Sequence, residues 1–294
     1  MAAPGVCLIV CVSTAGCRSS RSLSPPEHDA KKYVCPVSEN CRERYCEQVL
    51  IPGGVFSMGS GEDSTGKVPE YFDGLDVFGD PTPVHDVLLE PYCMDAYEVS
   101  IERYERCVQE GACDPGEREC SLRPQDQVYR TKINHYPDEC QNQGELCPHY
   151  PANCRNYQQA SAYCRWIGRR LCTEAEWERA AAGPGSVKRR YPWGDEPVTR
   201  KRANTCIDGP GHLMPVDALP AGVSAEGVHN LAGNVYEWVY DYYAPYRAAD
   251  QGPLADPRGP DQGFLRVGRG GCFLSESGFA STERTTFNPA FDWG

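Results

Sequence analysis

The chain has 294 residues, enough for one large domain with appendages. Its 29 Lys and Arg stand against 41 Asp and Glu, a formal net charge of −12 with no basic block, so the counterion-release term that drives nucleic-acid binding has no footprint. Scattered Gly (29) and Pro (25) exclude long helices, and 17 Cys without a single Cys-x-x-Cys point to an exported, disulfide-stapled chain rather than a zinc protein.

Residues 5–16 are apolar or small, the length of a signal-peptide core and well short of the roughly 20 residues that span a bilayer. They end in Thr14-Ala15-Gly16-Cys17, similar to a bacterial lipoprotein cleavage box, in which small residues admit the peptidase and the Cys17 thiol takes the lipid. Cleavage there would discard Cys7 and Cys11 and leave fourteen unlipidated thiols, enough for seven bridges; an uncleaved start is the other reading. Residues 1–17 thus read as a signal peptide, and residues 18–47 as a solvated tether closing on a small knot of Cys35, Cys41 and Cys46. Export with a lipid anchor would make a bacterial protein a periplasmic or cell-envelope lipoprotein, touching the membrane through that anchor alone.

The domain proper runs over 48–294. Residues 50–59, apolar around Gly53-Gly54, predict a strand that passes through a bulge, and 61–82 form an acidic, Gly-rich loop. Residues 84–89 predict a strand. Ser100 is a good N-cap for a packing helix carrying Ile101, Tyr104 and Val108, stopped by Gly111. Residues 111–154 are polar, aperiodic and rich in cysteine, an insertion ordered by bridges rather than burial. Tyr157, Ala160, Cys164 and Ile167 recur at helical spacing before Gly168. A second helix follows, its capping box Thr173-Glu174-Ala175-Glu176 turning Trp177 inward. Core packing is expected for most of the five tryptophans.

Several blocks then fall in one order: Ile51-Pro52-Gly53-Gly54-Val55-Phe56-Ser57-Met58-Gly59, Tyr97-Glu98-Val99-Ser100, Arg170-Leu171-Cys172-Thr173-Glu174-Ala175-Glu176-Trp177-Glu178, Tyr191-Pro192-Trp193-Gly194, Ala232-Gly233-Asn234-Val235-Tyr236-Glu237-Trp238 and Arg269-Gly270-Gly271. In these the chain resembles the formylglycine-generating enzyme (sulfatase-modifying factor) family. The resemblance implies an α+β domain poor in regular structure, related to the C-type-lectin topology, with calcium sites and a surface groove for extended peptide. It also implies a family domain that continues past Gly294.

By that resemblance one Ca²⁺ is held by Asn230, the carbonyls of Gly233 and Val235, and Glu237, and a second by Asn204, the Thr205 carbonyl, Asp208 and the Pro210 carbonyl across a shortened loop. Carboxylate, amide and carbonyl oxygens are the donors a hard cation requires. The family's oxidase needs two thiols, three and eight residues past the residue that follows Gly-Gly, to grip soft Cu(I). Here that residue is Cys272 and the two places fall on Ser275 and Ala280, so the copper pair is missing. Tyr236 stands where the enzymes commonly carry Trp, beside the oxygen site. Cys272 is the one remaining candidate nucleophile, and in so cysteine-rich a chain a structural bridge is expected of it. The six histidines form no His-x-x-x-His pair, which argues against the family's iron branch and against zinc hydrolases.

The expected function is therefore a calcium-stabilised module that binds protein or peptide in the family groove and performs no oxidation, a pseudoenzyme. The alternatives are a cysteine oxidase working from a displaced site at Cys272 and an accessory subunit of an active paralogue. Copper and nucleic acid are not expected.

Overall fold

Leu50-Ile51-Pro52-Gly53-Gly54 is where the chain changes sheets. The computed structural model describes residues 8–9, 11–14, 34–61, 77–116, 136–137, 140, 147–247 and 252–289. In it the expected single bulged strand is two strands, β3 (Gln48–Ile51) and β4 (Gly54–Met58). Pro52 has no N–H for a ladder, and at Gly53 the backbone runs so close to the turn after residue 89 that a Cβ would lie 2.5 Å from the Leu89 carbonyl oxygen.

β4 pairs antiparallel with β6 (His85–Leu89), and the short β10 (Leu254–Ala255) completes a three-stranded sheet. Along β6, His85, Val87 and Leu89 face in while Asp86 and Leu88 face out, the period-two pattern of a half-buried strand. β3 belongs to a four-stranded sheet ordered β3-β7-β2-β8, with β7 at Tyr92–Asp95, β2 at Cys11–Thr14 and β8 at Arg170–Leu171. A third sheet is ordered β1-β9-β11-β12-β5 (Leu8–Ile9, Glu237–Tyr242, Arg266–Arg269, Arg284–Phe287 and Val77–Gly79). β5 lies inside the expected acidic loop, of which 62–76 are outside the described residues.

Three α-helices whose full length is described form where their caps lie. α1 (Ile101–Gln109) begins at Ser100, whose hydroxyl accepts from Arg103 N. α2 (Tyr157–Trp166) and α3 (Glu174–Ala182) each open on a capping box, Asn156 with Gln159 and Thr173 with Glu176. Every residue of α3 is buried, and Trp177 is fully enclosed. A helix of sequence Glu-Ala-Glu-Trp-Glu-Arg-Ala-Ala-Ala can be buried all round only if its charges are matched. They are: Glu174 takes Arg284, Glu176 takes Arg170, Glu178 takes Arg269, and Arg179 takes Glu226.

Of the segment expected to form a leader, residues 8–9 and 11–14 are described, and they pair with strands of the domain. β2 runs antiparallel between β7 and β8, β1 runs parallel to β9, and Cys11 is enclosed and bridged to Cys164. Cys17, the expected lipid site, lies outside the described residues. Cys35–Cys93 and Cys41–Cys46 staple the N-terminal knot, and Cys107–Cys113 and Cys140–Cys147 order the insertion, in which Cys154 is also bridged. Seven bridges are not reached: Cys172, Cys206 and Cys272 stand as thiols. Among the described residues no helix is long and apolar enough to cross a membrane.

Arg269→Met should cost about 3–5 kcal/mol in urea unfolding, because it strands the enclosed Glu178 carboxylate, whereas Arg106→Ala, whose pairs with Glu43 and Glu110 lie nearer the surface, should cost clearly less. Equal costs would show that the pairing around α3 does not govern stability.

Candidate functional site

β11 ends at Arg269, whose guanidinium bonds Glu178 Oε2 at 2.5 Å and the carbonyls of Ser281, Thr282 and Glu283. Beyond Gly270-Gly271 the chain makes a tight turn. Cys272 N donates to Ser275 Oγ at 2.9 Å and Ser275 N donates to the Cys272 carbonyl at 2.9 Å. The Cys272 sulfur accepts from Leu274 N at 3.3 Å and lies 3.7 Å from Ser275 Oγ, which is 3.3 Å from the Tyr236 hydroxyl.

Cys272 and Ser275 are both buried, and Cys206 N reaches the Ser275 carbonyl at 3.1 Å. Ala280 donates its N–H to Glu283 Oε2 and brings only a methyl group. The expected bridge at Cys272 is thus corrected. The turn folds this sulfur onto its own backbone and Ser275, and a count of thiols has no access to that geometry.

β9, which pairs with β11, carries two buried carboxyls. Along β9 alternation sets Glu237, Val239 and Asp241 on one face. That face meets α3: Trp177 Nε1 donates to Glu237 Oε2, and Glu174 N donates to Asp241 Oδ2 at 2.8 Å. Glu237 Oε1 is buried without a hydrogen-bond partner among the described residues, and burial pushes this carboxyl up to about 8. Close by, Glu98 accepts from Asn230 Nδ2 at 2.7 Å and from Asn234 Nδ2 at 2.9 Å. Burial drives it well above the usual carboxylate range, Glu237 adds to that rise, and the asparagine donors oppose it.

Asn230 and Asn234 sit at φ of 54° and 64°, the left-handed region that Asn tolerates, and so turn the backbone sharply on both sides of Gly233. Sequence reasoning placed Glu237 here and passed over Glu98, although Glu98 lies in one of the quoted blocks. Only the fold sets its carboxylate beside both asparagines.

The second expected calcium set is brought together in part. Asn204 is buried, its Nδ2 donating to Asn234 Oδ1 at 3.0 Å and to the His212 carbonyl at 2.9 Å, while its Oδ1 has no partner among the described residues. The Thr205 carbonyl already accepts from Gly209 N, Asp208 is exposed and accepts from Arg200 N, and Pro210 is exposed. Among the described residues no three His, Cys, Asp or Glu side chains gather as a metal cluster. Carbonyl and amide donors therefore have to supply most of any cation site here.

A fold of small sheets around one buried, charge-matched helix, with an Arg-Gly-Gly turn facing a Gly-Asn-x-x-Glu-Trp strand, defines a sulfatase-modifying-factor domain. The family model described as "Sulfatase-modifying factor enzyme 1-like domain" matches residues 35–292, and the chain belongs to that family. It is 34% identical to a formylglycine-generating enzyme of Streptomyces coelicolor over 81% of this chain and 82% of that one. It is also 36% identical to the serine/threonine-protein kinase pkn1 of Chlamydia pneumoniae, covering 87% of this chain but only 38% of the kinase. Among solved structures, PvdO from Pseudomonas aeruginosa superposes with a TM-score of 0.62 at 26% identity, over 88% of this chain and 95% of that one.

Glu237 carries a pH signature. From the ordinary carboxylate range up to about 8 the folded state keeps a proton on Glu237 that the unfolded state has lost, so stability falls as pH rises through that window. Asp241, also pushed up to about 8 by burial, adds a slope of the same sign. Urea midpoints measured in chelator across that window should decline, and Glu237→Gln should flatten the decline; a Gln variant with an unchanged slope would place the titration elsewhere.

Proposed function

We propose that this chain is an exported, disulfide-stapled sulfatase-modifying-factor domain that binds an extended protein or peptide segment, is steadied by Ca²⁺, and does not oxidise cysteine. The observation that carries the reading is the donor set after Arg269-Gly270-Gly271. Ser275 and Ala280 offer a hydroxyl and a methyl where two sulfurs are needed to hold Cu(I), and the Ser275 hydroxyl is engaged as a turn pin. Copper does not fit these residues, and no oxygen chemistry is derived through it.

Calcium does fit the first set. Asn230, the Gly233 and Val235 carbonyls and Glu237 supply oxygen donors, and a carboxylate oxygen buried without a partner is the vacancy in bonding that a hard cation relieves. Such an ion would brace loops that have little helix or sheet to hold them. Asn204, Thr205, Asp208 and Pro210 form the weaker set.

Five disulfides between described cysteines support an oxidising compartment. The likeness to a stretch of a much longer kinase supports a portable binding module. Association with an active paralogue extends the same proposal, whereas a lipid on Cys17 would require a cleavage that removes Cys11 and its bridge to Cys164.

One observation favours a second reading, a formylglycine-generating-type cysteine oxidase with a displaced site: Cys272 is a thiol rather than a half-cystine. One experiment separates the two. The purified full chain is titrated with Cu(I) and then incubated under air with a cysteine-bearing sulfatase peptide. Weak copper binding, unchanged by Cys272→Ser, together with an unmodified peptide, is expected. Formylglycine formed by the wild type and lost in Cys272→Ser would overturn the proposal. In parallel, Ca²⁺ should raise the melting temperature of the wild type and leave that of Glu237→Gln unmoved.

A further inference from the structure

At the far end of β9 from Tyr236 a cavity of about 360 Å³ opens between the start of α3, the end of β9 and the loop after it. Its size is that of a small-molecule site. Met58, His85, Tyr242, Tyr246, Leu254 and Pro260 supply much of its wall, which is mostly apolar. Three ionisable groups line its inner end: Glu174, Arg284 and Asp241.

The cation among them is already saturated. Arg284 gives Nε and Nη2 to the two oxygens of Glu174 at 2.6 and 2.8 Å, Nη1 to the Asp80 carbonyl and Nη2 again to the Ala244 carbonyl. Its plane lies over the Tyr246 ring, 3.8 Å from the centroid. Burial alone would raise Glu174, but Arg284 and Arg269 outweigh it and hold this carboxyl below its ordinary range.

The acceptors are what is left over. The bond from Glu174 N to Oδ2 is the one hydrogen bond the Asp241 carboxyl accepts among the described residues, and no cation touches it. Gly259, at φ 64°, brings its backbone so close that a Cβ there would lie 3.1 Å from Asp241 Oδ1, which keeps water-sized space on one side only. The His85 ring bonds the Pro83 carbonyl through Nδ1 at 3.0 Å; a carbonyl can only accept, so Nδ1 carries the proton and Nε2 is left as an acceptor. Arg247 stands exposed at the rim.

We propose that this cavity is a binding site for a primary ammonium group on an apolar stem, with the ammonium bonded to Asp241 and the stem lying against Met58, Tyr242, Tyr246 and Pro260. The shared chemistry has two sources, a free organic amine and the lysine side chain of a peptide. The empty Asp241 carboxyl is held up at about 8, chiefly by burial, with Glu174 and Glu176 adding to the rise. The Glu174 N–H and Arg284 oppose that rise, and an ammonium docked against the carboxyl favours its charged form, so docking releases the Asp241 proton to solvent. The site is separate from the turn at Cys272–Ser275, so the inference stands or falls apart from the loss of oxidase chemistry.

The test is calorimetric titration of the full chain with phenethylamine, with Nα-acetyl-lysine amide, and with 3-phenylpropionate as the charge-reversed control. Amine binding is expected, with phenylpropionate weaker than either amine. A tighter free amine identifies a metabolite-type ligand and a tighter lysine amide a peptide one, and both support the site. Asp241→Asn, which keeps an acceptor for Glu174 N, should weaken the amine about tenfold or more, the worth of one charge-assisted hydrogen bond. Leu254→Trp should block the cavity without touching the carboxyl. Failure of both amines to bind wild type at millimolar concentration, tighter binding of phenylpropionate, or unaltered affinity in Asp241→Asn overturns the inference.

Discussion

A helix cannot be buried on every side while carrying three glutamates and an arginine unless each charge meets its opposite. α3 satisfies that constraint with Arg284, Arg170, Arg269 and Glu226, drawn from β12, β8, β11 and a loop far along the chain. Such pairs add little net stability compared with an apolar core of equal volume. Each one left unpaired is costly, however, so wrong strand placements around α3 are penalised. In a protein with short strands and little hydrogen-bonded regularity, this penalty does much of the work that long ladders do elsewhere. Arg269 couples this frame to the site, since the same guanidinium that neutralises Glu178 also holds the Ser281–Glu283 carbonyls beyond the Cys272 turn.

What is local was legible. Ser100 and Thr173 announce their helices because the cap bonds are made within three residues, and the alternation of β6 is readable because it reports one half-buried face. What depends on distant partners was not. Nothing near Gly53 tells that the chain there leaves one sheet for another; that follows from the backbone around Leu89 pressing on it. Residues 8–14 are apolar and small whether they are a leader or inner strands, and composition alone cannot separate a cleaved segment from one that bridges Cys164. The parity of the cysteines misled for the same reason. Cys172 lies in an apolar cluster where burial pushes its thiol far up, and Cys272 is folded onto its own turn.

At the site the legible and illegible parts divide in the same way. The absence of sulfur at Ser275 and Ala280 is a matter of residue identity and could be read directly. That Ser275 has become a fastener, accepting from Cys272 N and reaching Tyr236, needed coordinates. The family's fold is present, while Ser275 and Ala280 bring a hydroxyl and a methyl rather than sulfur to the turn.

β9 carries the deeper consequence. Its inward face presents Glu237 and Asp241 two steps apart on a strand that is otherwise apolar and aromatic, and both are held up at about 8 when nothing is bound. The formal charge of −12 counts both as ionised. Burial makes the charge dearer than the proton at both positions. A hard cation at Glu237 and an ammonium at Asp241 would each reverse that balance locally. Glu237 and Asp241 thus set two buried carboxyls at opposite ends of one strand, each disfavoured as a lone charge by its burial.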